Sequence, residues 1–163
     1  NLFKALKQFD INVLFTKANA DSGGEIINRE IQIFCKKNPE RYRLFDNLGQ
    51  LRYLSCLKHC ALMVGNSSSG LVEAGSFKLP AVNIGDRQKA RIKSKNVIDV
   101  GYSTASIKKG ITLALSDQFH TRIRNVRNPY VKSKGGQTSF KIKEKLKSIT
   151  LDEKLFKKTF YNL

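Results

Sequence analysis

Ala61-Leu62-Met63-Val64-Gly65-Asn66-Ser67-Ser68-Ser69-Gly70-Leu71-Val72-Glu73 joins an apolar run, a serine triplet between glycines and a second apolar run. Ala61 to Val64 has the length of a strand and no polar residue, as a strand covered on both faces does. The chain then breaks at Gly65-Asn66, and a helix is predicted to begin among the serines and carry Leu71, Val72, Ala74 and Phe77. Strand, glycine turn and helix together make half of a β-α-β unit.

The same alternation continues outward. Downstream, Pro80-Ala81-Val82-Asn83-Ile84 reads as a strand whose proline sits first, where a missing N–H is tolerated, and Asn96 to Val100 reads as another. Upstream, Ile11 to Phe15 and Tyr42 to Phe45 are β-prone runs. Helical spacing appears in Ile26, Ile27, Glu30, Ile31 and Phe34, and again in Leu48, Leu51, Leu54, Ser55 and Leu57. Further helices are predicted over Thr104 to Ser116 and Gln137 to Ile149. About five short strands alternating with helices predict an α/β fold, a parallel sheet with helices on both faces. Leu2, Leu6 and Phe9 place the start of the chain inside a helix, as in a piece of a longer protein.

Composition narrows the function classes. The 163 residues suit one domain, and 40% are hydrophobic, enough for a packed core. No apolar run approaches the length of a membrane span, and no secretory leader is visible. The net charge of +17 would suit a polyanionic partner. The lysines, however, are spread over helical stretches (Lys4, Lys7, Lys36, Lys37, Lys108, Lys109, Lys141 to Lys147), as on solvated faces. No zinc-finger, homeodomain or aromatic RNA-binding signature accompanies them. A basic nucleic-acid-binding module is therefore the competing class, and the main reading expects neither a nucleic-acid nor a membrane partner. Cys35, Cys56 and Cys60 cannot all pair internally, and they read as buried thiols in a reducing cytoplasm. Cys56, His59 and Cys60 lie close together but fall short of a metal-ligand set, so no metal is expected.

Ligands of parallel α/β sheets sit beyond the carboxyl ends of the strands, and three clusters occupy such positions. At Gly65 to Gly70, free backbone N–H groups, the helix dipole and serine hydroxyls form a cradle for an anion, best suited to a diphosphate. The plainer reading is that one serine caps the helix. Glu73, about one turn inside, can accept from a ribose diol, or merely complement the dipole. In Gly85-Asp86-Arg87-Gln88-Lys89-Ala90-Arg91, the planar fork of Arg87 suits phosphate or sugar oxygens; alone, this would read as a basic surface loop. In Lys17-Ala18-Asn19-Ala20-Asp21-Ser22, Asn19 could reach a ligand while Asp21 or Ser22 caps the next helix. There is no nucleophile elbow and no Walker A lysine, and His59 and His120 belong to no local motif.

Taken together, Met63 to Ala74 and Leu79-Pro80-Ala81-Val82-Asn83-Ile84-Gly85-Asp86-Arg87-Gln88-Lys89 resemble the C-terminal part of the UDP-N-acetylglucosamine 2-epimerase family. The resemblance is nearest to its hydrolysing branch, which serves sialic and legionaminic acid biosynthesis. Asn19-Ala20-Asp21, Leu48-Gly49-Gln50-Leu51-Arg52-Tyr53-Leu54 and Asn128-Pro129-Tyr130 match in order, so the likeness covers nearly the whole chain. It implies a glycosyltransferase-B-type enzyme of two Rossmann-like domains. Residues 1–163 would be the UDP-binding C-terminal domain without its first strand, and the catalytic N-terminal domain would be absent. By the same resemblance Ser67 and Ser68 cradle the diphosphate, Glu73 takes the ribose, and Leu48 and Tyr53 line the uracil pocket. Arg87 and Asn19 face phosphate and sugar.

The implied reaction is anti elimination of UDP from UDP-GlcNAc, or from UDP-diacetylbacillosamine, followed by hydration to a free sugar of N-acetylmannosamine type. It needs no cofactor. The acid/base carboxylates lie in the other domain, so this chain alone is expected to show no turnover. The resemblance also implies a homo-oligomer. A non-hydrolysing epimerase or a UDP-sugar glycosyltransferase of the same architecture is the nearest alternative. The chain departs from the family pattern at Gly75, which stands in place of a usual proline, at Ala90 in place of a glycine, and in a longer Val131 to Gly136 turn.

Overall fold

In the computed structural model, residues 1–18, 23–131 and 138–156 are described. The chain divides into two compact units, Asn1–Pro129 and Tyr130–Leu163. The first contains α1 (Leu2–Leu6), β1 (Val13–Thr16), α2 (Gly24–Lys36), β2 (Tyr42–Phe45), α3 (Gly49–His59) and β3 (Met63–Gly65). It continues with α4 (Ser69–Val72), a 3-10 turn (Ala74–Phe77), β4 (Ala81–Ile84), β5 (Val97–Val100), α5 (Thr104–Ala114) and α6 (Asp117–Ile123). The second unit holds α7 (Thr138–Lys147) and α8 (Glu153–Phe156), and no residue of α7 is buried.

All strand pairs are parallel, as expected, but the strands form two sheets rather than one. β1 pairs with β2, while β4 lies between β3 and β5. The two sheets nevertheless share a core. Ala5, Leu6, Val82, Ile107, Ile111 and Ala114 form its buried centre, with Val13 and Phe15 of β1 and Leu62 and Val64 beside β4 packed against it. Alternate residues of a parallel strand turn their main-chain groups to the same neighbour. The Val13 N–H donates to the Arg41 carbonyl just before β2 at 2.8 Å and the Lys17 N–H to the Phe45 carbonyl of β2 at 3.3 Å, so Leu14 and Thr16 face the edge of β1 that is unpaired among the described residues. On β3, Met63 donates to the Pro80 carbonyl at 2.9 Å, which leaves Leu62 and Val64 facing the other unpaired edge.

A second core sits behind β1 and β2. Phe34 stacks between Phe3 and Tyr42 at centroid distances of 4.3 and 4.6 Å, with Phe15 meeting it edge-on at 6.0 Å. Such pairs add about 0.5–1.5 kcal/mol each beyond burial. The face of α2 is narrower than its spacing predicts: Ile31, Phe34 and Cys35 are buried, whereas Ile26 and Ile27 are 70% and 53% exposed. A third core, made of Leu57, Ala74, Leu79 and Ala81, anchors α3 and the 3-10 turn to β3 and β4.

Other differences have local causes. The helix predicted after the serines is one α turn and one 3-10 turn, because Lys78 closes it in the left-handed conformation at φ 54. The single helix predicted from Thr104 to Ser116 ends at Ala114, and Ser116 caps α6 by accepting from the Phe119 N–H. α2 starts from Gly23 at φ 84 with no side-chain cap, and the expected caps Asp21 and Ser22 lie outside the described residues. Of the three cysteines only Cys35 is buried; Cys56 is half-buried and Cys60 exposed. They sit on the flank and end of α3, not in its core stripe.

Candidate functional site

The serine turn follows β3 directly. Gly65 enters it at φ 151, a conformation that side chains with a Cβ rarely adopt. Asn66 and Ser67 are exposed, Ser68 is half-buried and Ser69 is buried. The Ser67 hydroxyl accepts from the Ser69 N–H at 3.3 Å, and Gly70, Leu71 and Val72 donate back to Ser67 and Ser68 carbonyls. A serine thus does shape the local turn, as the capping alternative held, although Ser68 at the cap position makes no side-chain cap bond. Among the described residues, the Ser67 and Ser68 N–H groups meet no acceptor. The helix that follows has only 4 residues. Its dipole is correspondingly small, so the donors of the turn are these main-chain amides and hydroxyls.

Two other elements brace the turn. Tyr53, on α3, donates its hydroxyl to Ser69 Oγ. Its phenol is pushed above its ordinary pKa by burial, opposed by the Ser69 hydrogen bond and reinforced by the nearby Glu73 carboxylate. It therefore stays a donor at neutral pH. Gln88 crosses from the loop after β4, and its Nε2 donates to the Asn66 carbonyl at 2.8 Å. That same loop is pinned at its start. Gly85 lies under the Tyr102 ring at φ 78, and the Tyr102 hydroxyl donates to Asp86 at 2.8 Å. This hydrogen bond holds the Asp86 carboxyl below its ordinary range.

The structure therefore brings Ser67, Ser68, Tyr53 and Glu73 to one locality, with the exposed Arg87 on the adjoining loop. Tyr53 bonds a serine of the turn, a contact that a role in lining a base pocket did not anticipate. Leu48 is half-buried at the residue before α3. Asn19 lies outside the described residues.

Sequence reasoning passed over Gln88, Tyr102 and Asn128. Asn128 is buried and donates to the Val72 carbonyl at 2.6 Å and to Ser76 Oγ at 2.7 Å, clamping the segment that carries Glu73. An uncharged amide inside the charged run Asp86 to Arg91 was the available signal for Gln88. Nothing local marks Tyr102, whose partner lies 16 residues away; Asn128 stands in the matching Asn128-Pro129-Tyr130 segment, but its clamping role depends on partners more than 50 residues away.

Chemically, the site offers the Ser67 and Ser68 amides, which have no acceptor among the described residues, together with serine hydroxyls, a guanidinium and a carboxylate beyond the ends of β3 and β4. Comparison with known proteins gives a concordant picture. A diacetylbacillosamine 2-epimerase (hydrolyzing; GDP/UDP form) of Campylobacter jejuni is 52% identical over 88 residues, 54% of this chain and 23% of that protein. Polysialic acid biosynthesis protein P7 of Escherichia coli is 37% identical over 88% of this chain and 36% of its own length. A UDP-N,N'-diacetylbacillosamine 2-epimerase (hydrolyzing) of Legionella pneumophila is 32% identical over 97% of this chain and 40% of its own length. The chain thus spans between 23% and 40% of the length of these relatives. The sequence model of UDP-N-acetylglucosamine 2-epimerases matches residues 1–147, and with the strand-to-serine-turn geometry it shows that this chain belongs to the UDP-N-acetylglucosamine 2-epimerase family.

Proposed function

We propose that this chain is the UDP-binding part of a hydrolysing UDP-sugar 2-epimerase, and that the Ser67–Ser68 turn receives the diphosphate. The observation that carries this reading is the pair of Ser67 and Ser68 amides, which meet no acceptor among the described residues, on a turn braced by Tyr53 and Gln88. Arg87 adds positive charge from the neighbouring loop, and Glu73 is the acceptor for the ribose hydroxyls. In the reaction, a base removes the C2 proton of the sugar, and the C1–O bond breaks anti to it. The electron pair leaves on UDP, and water adds to the resulting glycal to give the free 2-epimeric sugar. Donors fixed around the leaving diphosphate stabilise the charge it gains. The carboxylates that move protons belong, in this reading, to a second domain outside this chain. The names of the relatives favour UDP-diacetylbacillosamine or UDP-N-acetylglucosamine as the substrate. We place the protein in a reducing cytoplasm, in keeping with its unpaired cysteines, and expect a homo-oligomer.

The unpaired edges of β1 and β3 fit the same reading. A parallel strand between them, supplied by the longer chain, would join the two sheets into one over their shared core. Hydrogen exchange tests this: the Leu14, Thr16, Leu62 and Val64 amides should be protected in the longer protein, and rapid exchange there would exclude such a strand.

The function itself is tested on the full-length enzyme. Calorimetric titration with UDP should show Ser68→Ala weakening binding about tenfold, the loss expected for a hydrogen bond to a charged group. Product analysis should find free UDP and a free hexosamine. A UDP-linked product would indicate the non-hydrolysing branch. Unchanged UDP affinity both in Ser68→Ala, which removes the hydroxyl, and in Ser68→Pro, which removes the amide N–H at a φ of −62 that proline adopts, would remove the site assignment, and salt-sensitive binding of DNA in its place would favour the nucleic-acid class.

A further inference from the structure

Gln88 stands apart from its loop. Asp86, Arg87, Lys89 and Ala90 are exposed, yet Gln88 is 3% exposed. Its Nε2 reaches the main chain of a different loop, 22 residues earlier, at 2.8 Å. Its Oε1 is buried without a partner. A buried amide that leaves its acceptor atom unsatisfied carries a desolvation cost of about 1–3 kcal/mol. An apolar side chain of similar size would fill the space without that cost, so stability alone does not explain a glutamine here.

The acceptor explains it. In a trans peptide the carbonyl of one residue and the N–H of the next point in opposite directions in one plane. Holding the Asn66 carbonyl toward Gln88 therefore fixes the Ser67 N–H on the opposite side, and this is one of the amides without a protein acceptor. Gly65 at φ 151 leaves the turn with a glycine hinge just before that peptide, which makes an external latch on its orientation useful.

We propose that Gln88 is a positioning residue: by donating to the Asn66 carbonyl it locks the 66–67 peptide so that the Ser67 amide is presented to a diphosphate oxygen, and it ties the Arg87 loop to the serine turn. This rests on the reading that the turn holds the diphosphate. It also explains the choice of residue, because a carboxylate at 88 has the same shape but no N–H to donate and would repel the carbonyl.

The test uses the full-length enzyme carrying Gln88→Glu or Gln88→Leu, with Ser68→Ala alongside. UDP and uridine affinities are measured for each variant, together with the exchange rate of the Ser67 amide with and without UDP. Both Gln88 variants should weaken UDP about tenfold or more, as loss of an amide donor to a charged oxygen does. Uridine binding should be unchanged, and the protection that UDP confers on the Ser67 amide should be lost. If Gln88→Leu fails to fold, the isosteric Gln88→Glu gives the same readout. Equal weakening of UDP and uridine would mean a merely structural role and would overturn the proposal. So would unchanged UDP affinity in the Gln88 variants while Ser68→Ala weakens it. If UDP leaves the Ser67 amide of the wild-type enzyme unprotected, the diphosphate reading itself fails and the latch falls with it.

Discussion

Gly85→Ala separates two costs at the start of the Arg87 loop. An added Cβ would lie 2.3 Å from the Tyr102 ring, and the backbone is at φ 78. The first cost looks severe, but Tyr102 is 63% exposed and can swing into solvent. Moving an exposed ring gives up little packing, and the solvent-exposed hydrogen bond to Asp86 that it breaks is replaced by bonds to water, so the clash is cheap. The second cost cannot be evaded, since a left-handed residue with a Cβ loses about 1–2 kcal/mol. The small gain from a stiffer unfolded chain applies only where the native backbone suits alanine. We therefore expect Gly85→Ala to destabilise by about 1–2 kcal/mol, nearly all of it from the backbone. The assay is urea unfolding of Gly85→Ala in wild-type and Tyr102→Ala backgrounds. Removing the ring abolishes the clash and leaves φ untouched, so the deficit should persist in the double variant. If Tyr102→Ala erases it, steric collision governs and the backbone argument is wrong.

Three further outcomes can be checked. Gly110→Ala should be destabilising even though alanine gains about 1 kcal/mol in a helix interior. Its Cβ would lie 2.6 Å from Val100 Cγ1 and 3.1 Å from Val82 Cγ1, and overpacking of this kind costs about 1–3 kcal/mol; Val100→Ala should rescue it in thermal melts. Asn128→Ala should lower stability by about 2 kcal/mol by removing its hydrogen bonds to Val72 and Ser76, and should weaken UDP by loosening the Glu73 segment, measured by calorimetry. For Asp99, burial alone would raise the carboxyl pKa, but hydrogen bonds from Lys93 and Asn83 and the Lys93 charge overcome this and hold it below its ordinary value. Its stabilisation is therefore complete above the unfolded value of about 3.9 and is lost as pH falls through the lower folded value. The group is half exposed, so the effect stays below about 1 kcal/mol. Wild-type and Asp99→Asn urea midpoints should converge as the medium is acidified.

The parallel α/β character was legible because buried parallel strands need apolar runs of strand length: Ala81–Ile84 lies within the run Pro80 to Ile84, and Met63–Gly65 overlaps the run Ala61 to Val64 and extends one residue past it. The separation into two sheets was not legible. Strand pairing depends on which edges are in reach, and no property of Val13 to Thr16 states which neighbour its second edge meets. The serine turn was readable as a donor-rich corner because its glycines and hydroxyls are contiguous in sequence. The groups that hold it were not: Tyr53, Gln88 and Asn128 act across 16, 22 and more than 50 residues. Their residue types are common on any surface, and their roles show only in the fold, Gln88 and Asn128 by their burial and Tyr53 by its hydrogen bond to Ser69. This division has a physical basis. Groups that touch a ligand are gathered on a turn so that their backbone can converge. The turn fixes part of itself, as Ser67 Oγ does by accepting from the Ser69 N–H, but the Asn66 carbonyl is held from another loop. Local sequence therefore carries the donor set, and the fold carries its orientation. The Asn66–Ser67 peptide is where the two meet, with one side turned toward Gln88 and the other carrying the Ser67 N–H, which meets no acceptor among the described residues.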